Sequence, residues 1–202
     1  MDVAKDFEKS EVLKYQTELN DDSNRRLMTA KRDLRRAEDI IHIRHLSPKS
    51  KSVLCIGARD DSEVLSFVKC GYSVIAIDIC TETELITKRD MSELNPKEFG
   101  KFDVIYCSHV LEHIVDPIKT LKSIKSVAKD LLFVILPIVD RTPDIEHPTV
   151  YEIMKHHPDT NFKDFPQAWE DFVALAPFEL CSKWYRNGLS EEYEVAFVLR
   201  LR

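Results

Sequence analysis

Glycine is scarce, with four residues in 202. A phosphate-cradling loop or a full G-x-G-x-x-G turn needs several glycines within a few positions, and the four here, Gly57, Gly71, Gly100 and Gly188, are far apart. Long apolar runs are missing too. None approaches the roughly 20 residues that span a bilayer, and the opening MDVAKDFEKSEVLKY holds no apolar leader core. The expectation is a cytoplasmic protein without a membrane span. No C-x-x-C pair occurs among Cys55, Cys70, Cys80, Cys107 and Cys181. Their odd number and the strand placement of three of them predict reduced thiols. An excess of basic charge is also lacking: 29 Lys and Arg face 35 Asp and Glu. That balance argues against nucleic acid as a partner. The length suits one domain with a full core.

What is present centres on SVLCIGARDDSEVLSFVKCGYSVIAID, residues 52–78. An apolar run ends at Gly57, an amphipathic segment runs from Glu63 to Cys70, and a second apolar run ends on Asp78. The pattern predicts strand, helix, strand. A glycine at the first turn admits a ligand to the backbone, and an acid at the second strand tip suits a ribose diol. Further strands are predicted at 85–91, 102–108 and 131–138. A helix is predicted from Asp116-Pro117 to about Lys129, with proline at a tolerated first-turn position. Alternating strands and helices imply a parallel sheet.

The flanks differ. Residues 1–46 read as a helical extension, with helices over about 4–19 and 24–43, and residues 47–202 as the main domain. In the second helix Leu27, Ala30, Leu34, Ala37 and Ile41 form an apolar stripe. It suits packing on the domain or a homodimer contact. Arg25, Arg26, Lys31, Arg32, Arg35 and Arg36 cover the other faces and are expected to be solvated. Residues 139–178 are a proline-rich insert with two short helices, in which Phe165, Trp169 and Phe172 share a face and His147, His156 and His157 have no assigned role. The chain ends in two strands around an Asn187-Gly188 hairpin turn. In the first loop, Asp61 or Ser62 is expected to cap the following helix.

Four segments together resemble the class I S-adenosylmethionine-dependent methyltransferases. They are Val53-Leu54-Cys55-Ile56-Gly57-Ala58, Val74-Ile75-Ala76-Ile77-Asp78, Asp90-Met91, and FDVIYCSHVLEHIVDP at 102–117. The last resembles the small-molecule and quinone methyltransferase branch. The resemblance implies an α/β Rossmann-like doubly wound sheet of seven strands, order 3-2-1-4-5-7-6, strand 7 antiparallel. It implies S-adenosylmethionine as cofactor and a small-molecule acceptor. Gly57, Ala58 and Arg59 would face the methionine end, Asp78 and Ile79 the ribose, and Asp90 and Met91 the adenine. Ser108 and His109 would border the sulfonium, and His109 and His113 are the candidate catalytic groups. Cys55, Arg59 and Asp61 stand where the family has an acid and two glycines, and the resemblance implies that Asp60 or Asp61 would meet the cofactor ammonium instead.

Three rivals share these residues. His109-Val110-Leu111-Glu112-His113 matches the H-x-x-E-H zinc-hydrolase pattern, but its first histidine closes a strand, so no metal ligands are assigned. A dinucleotide dehydrogenase suits Asp78 but lacks the glycine fingerprint. A non-catalytic binding or scaffold protein fits the altered glycine loop, since fold does not dictate chemistry.

Overall fold

The computed structural model describes residues 25–114, 116–138, 178–187 and 193–202. The expected helix at 4–19, the 139–178 insert up to residue 177 with its aromatic face and histidines, and the hairpin turn at Gly188 lie outside the described residues.

Seven strands form one sheet in the order β3-β2-β1-β4-β5-β7-β6. They are β1 Ser52–Ile56, β2 Ser73–Asp78, β3 Ile86–Lys88, β4 Phe102–Ser108, β5 Ala128–Ile138, β6 Phe178–Asn187 and β7 Tyr193–Leu201. The pairs β1–β2, β2–β3, β1–β4 and β4–β5 are parallel. Strand β7 runs antiparallel to both β5 and β6. The central strands are apolar throughout because both faces are covered. Leu54 and Ile56 point to one face, with Leu121, Ile124 and Val127. Val53 and Cys55 point to the other, with Ile40, Ile43, Val64 and Phe67. Four helices accompany the sheet among the described residues: α1 Arg25–Leu46, α2 Asp61–Lys69, the single turn α3 Pro96–Phe99 and α4 Pro117–Val127. As expected from proline at its first position, α4 starts at Pro117, with the Asp116 carboxylate accepting from Lys119 N–H at 2.9 Å.

Helix α1 corrects the expected face. Ile40 and Ile43 are buried beside Arg36 and Asp39, while Leu34 and Ile41, from the expected stripe, are 68% and 66% exposed. Ala37 is exposed as well. The arginines turn inward for a physical reason. Arg36 meets the Ser62 hydroxyl at 2.5 Å and lies 3.7 Å from Asp60, and Arg35 bonds Glu194 at 3.1 Å. Each guanidinium thus finds a charged or polar partner on the domain, which compensates its loss of water. The solvated basic face expected at Arg35 and Arg36 is therefore absent.

Candidate functional site

The strand order reverses between β1 and β4, the crevice where open α/β sheets bind ligands. There Ile56 pairs with Cys107, and both chains turn away from the sheet. Gly57 adopts φ +71°, and the N–H groups of Gly57 and Ala58 donate to the Ile77 carbonyl at 2.8 and 3.2 Å. A Cβ on Gly57 would stand 2.3 Å from Val110 Cγ2. Glycine is thus required here by the loop after β4, in addition to any ligand approach.

The loop after Gly57 is held by its acids. Asp60 is the N-cap of α2, accepting from Ser62 N–H at 3.0 Å and from the Ser62 hydroxyl. Burial raises the Asp60 carboxyl, but the Ser62 hydroxyl and Arg36 outweigh it, and the net shift is downward. The cap is therefore Asp60, one residue before the two expected. Asp61 accepts instead from the Thr83 hydroxyl at 2.6 Å. The Thr81 hydroxyl reaches the Arg59 carbonyl at 3.5 Å, tying the first loop to the second.

At the tip of β2, Asp78 Oδ1 accepts from Cys80 and Thr81 N–H, each at 2.7 Å, and Ile79 is half-buried beside it. These bonds fix the carboxylate across from Gly57. Asp90 caps the short 3₁₀ turn Met91–Glu93 through Ser92 N–H at 2.9 Å, and Met91 is buried against the core. Ser108 ends β4, half-exposed, and His109 follows.

His109 is the one described non-glycine residue with positive φ, +54°. A side chain kept in this sparsely populated region is held by its surroundings. The imidazole is clamped between two acids. Nε2 lies 3.0 Å from Glu194 Oε1, and Nδ1 lies 3.5 Å from Glu112 Oε1. Burial disfavours the imidazolium, but the bonds to Glu112 and Glu194 prevail and raise its pKa to about 9. Glu194 is in turn gripped by Arg186 Nε at 2.8 Å and Arg35 at 3.1 Å. Burial opposes its ionisation; His109 and Arg186 overcome that and bring it to about 2. Arg186 also donates to Asp39 at 2.8 Å, and the Tyr106 hydroxyl donates to the other Asp39 oxygen at 2.8 Å. One polar network thus runs from α1 through β6 and β7 to the mouth of β4.

Glu112 is 1% exposed, and its Oε2 has no hydrogen-bond partner among the described residues. Burial raises its carboxyl, yet His109 and His113 turn the net shift downward. His113 Nε2 stands 3.9 Å from Glu112 Oε1, the same oxygen that faces His109. The H-x-x-E-H letters therefore do not form a helical ligand face. His109 stands in left-handed backbone, helical turn begins only at Leu111, and the glutamate lies between the two rings. Among the described residues no His, Cys, Asp and Glu side chains group to hold a metal ion.

The site thus joins Gly57, Asp78, Ser108 and His109 at the crevice, with Asp90 and Met91 further along the β3 edge. Glu194, Arg186, Asp39, Arg35 and Glu63 were not among the expected site residues. The one visible signal was Glu194, a lone acid opening the apolar run YEVAFVL.

Comparison with known proteins adds a family. The model of a methyltransferase domain matches residues 25–175. A ubiquinone biosynthesis O-methyltransferase from Xanthomonas axonopodis pv. citri is 25% identical over 112 residues, 48% of this chain and 47% of that enzyme. The match thus spans about half the length of each. Among solved structures, the 1,6-didemethyltoxoflavin-N1-methyltransferase of Burkholderia thailandensis superposes with a TM-score of 0.64 at 16% identity, covering 95% of this chain and 88% of that one. The [4+2]-cyclase SpnF superposes with a TM-score of 0.56 at 11% identity, covering 82% of this chain and 80% of that one. At these identities both structures speak for the fold.

Proposed function

The chain belongs to the methyltransferase domain family, and from that premise we propose that it binds S-adenosylmethionine at the β1–β4 crevice and methylates a small-molecule acceptor beside His109. The observation that carries this reading is the pair formed by the Asp78 carboxylate, fixed at the β2 tip, and His109, clamped at the β4 mouth. Buried oxygens of Glu63 and Glu112 without partners fit a ligand that brings hydrogen-bond donors. The small-molecule acceptor is supported by the relatives, whose names give ubiquinone biosynthesis and 1,6-didemethyltoxoflavin. The inward arginines of α1 leave less cationic surface for a nucleic acid.

The cofactor supplies a methyl group on a cationic sulfur, open to direct displacement. The protein's part is alignment and exclusion of water. Asp78 would accept from the ribose hydroxyls, Asp90 and Met91 would hold the adenine, and Ser108 and His109 would border the reacting end. His109 takes the proton of the acceptor at Nδ1, whose 3.5 Å contact with Glu112 is the looser of its two, while Glu194 holds Nε2 and stabilises the imidazolium. His113, beside Glu112, is a positioning residue.

Calorimetry with S-adenosylmethionine and S-adenosylhomocysteine tests the reading. Binding of either is expected; no binding at millimolar concentration would leave the fold as a scaffold. Asp78→Ala should weaken binding by about 1–3 kcal/mol, the scale of hydrogen bonds to a charged group. Unchanged affinity would remove Asp78 from the ribose site.

The raised pKa of His109 sets a pH profile. Its neutral form is the base, so kcat/KM should climb with pH through about 9 and then level off. His109→Gln should abolish that limb. A wild-type profile flat from about pH 6 to 10 would exclude His109 as the base.

A further inference from the structure

The acids at the β1–α2 turn are unequally committed. Asp60 caps α2 and faces Arg36 and Arg32; Asp61 holds Thr83; Asp78 Oδ1 holds the second turn. Glu63, in the first turn of α2, differs. It is 7% exposed, its Oε1 is buried, and no described residue donates to that oxygen. Its Oε2 lies 4.0 Å from Arg36 Nε, a loose contact. The Cys55 thiol, one residue before the end of β1, lies near the same carboxyl, and burial first and then the Glu63 charge push the thiol up. A buried acceptor without a donor is costly to the fold unless a ligand supplies one.

The surroundings select the charge of that donor. Arg36 and Asp39 face Glu63 from α1, Asp60 from the loop, Cys55 from β1, Asp78 from β2 and Tyr106 from β4. Carboxyl groups outnumber the single guanidinium, so a cationic donor is favoured over a neutral one. We infer that Glu63 is the acceptor for the ammonium on the amino-acid end of the bound cofactor, an inference that rests on the adenosylmethionine reading above. It gives the carboxyl of α2 the place of the acid that β1 lacks at Cys55.

The linkage has a sign. Burial first, then Asp60, Asp39 and Asp78 against the opposing Arg36, raise the Glu63 carboxyl to about 8. At about pH 7 it is therefore mostly protonated in the free protein. An ammonium against it favours the carboxylate, so binding expels a proton.

The experiment is calorimetry at about pH 7 in two buffers of different ionisation enthalpy. The probes are S-adenosylhomocysteine, which carries the ammonium, and 5′-methylthioadenosine, which lacks the amino-acid end. Wild-type protein should release close to one proton with the first probe and none with the second, a result that needs no variant. Glu63→Gln should bind the nucleoside probe as wild type does. It should bind S-adenosylhomocysteine roughly ten- to hundredfold more weakly, without proton release. Wild-type protein that binds neither probe overturns the methyltransferase reading and this inference with it. Wild-type protein that binds both while releasing no proton overturns the inference alone. So does a Glu63→Gln variant with unchanged S-adenosylhomocysteine affinity, or one that loses both probes equally.

Discussion

Gly57→Ala is expected to lower the unfolding free energy by about 2–5 kcal/mol, the sum of two physical effects. Left-handed backbone, φ +71° here, costs a residue with a Cβ about 1–2 kcal/mol. A methyl 2.3 Å from Val110 Cγ2 must push a buried side chain aside, and overpacking of this kind costs about 1–3 kcal/mol. Gly71 separates the two. Its φ is +85° and nothing lies within 4 Å of its missing Cβ, so Gly71→Ala incurs the backbone cost alone. Urea unfolding of both variants should therefore differ by the steric share. Val110→Ala should cost less in the Gly57→Ala background than in the wild type, by about that steric share. Equal losses at Gly57 and Gly71 would show that Val110 yields freely.

The same residue shows what could be read from the chain and what could not. Apolar runs closed by Gly57, Asp78 and Ser108 identified β1, β2 and β4, because strands covered on both faces need continuous apolar sequence. The strand order and the antiparallel β7 followed from the family resemblance and stand in the structure. Helix α1 misled because its buried face carries Arg36 and Asp39, and an apolar count discards paired charges. Counting Leu34, Ala37 and Ile41 selected the outer face instead. Local motifs put Gly57, Asp78, Ser108 and His109 at the ends of β1, β2 and β4, where the structure has them. The clamp on His109 was not legible, because Glu194 lies 85 positions away and Arg35 reaches Glu194 over 159. No local pattern encodes contacts that only the β5–β7–β6 order creates.

The fold alone leaves the reaction open, since a [4+2]-cyclase shares it with methyltransferases. The features particular to this chain are a carboxylate fixed at the β2 tip, a histidine with a raised pKa at the β4 mouth, and a buried carboxyl at the β1–α2 turn with one oxygen that no described residue reaches. Two of them depend on charges delivered by α1, through Arg36 to Glu63 and Arg35 to Glu194. The helix that covers one face of the sheet thereby also sets the electrostatics of the crevice.

Arg186→Leu should have the largest effect on both stability and pH dependence. Arg186 bonds Asp39 and Glu194 at 2.8 Å each, and both acids are buried. Without the guanidinium, two carboxylates face each other in a poorly hydrated place. Breaking such a network from one side costs about 3–5 kcal/mol, mostly as uncompensated charge. The pH signature follows from the sign of the shifts. Glu194 is held at about 2, below its usual 4.5, so its contribution is full above the usual value and fades as pH falls through about 2. In the variant its pKa rises, because Arg35 and His109 remain but Arg186 is gone. Burial already lifts Asp39 above its usual value, and loss of Arg186 lifts it further. Acidification then protonates both acids, so the loss at about pH 4 should be smaller than at about pH 7. Asp39→Asn in the Arg186→Leu background should restore part of the stability, since an amide oxygen still accepts from Tyr106. Removing a nearby cation also favours the imidazolium, so the rising limb of kcat/KM should move above about 9. Equal losses at both pH values, with the activity limb unmoved, would show that Arg186 acts by packing and that the charged network does not govern His109.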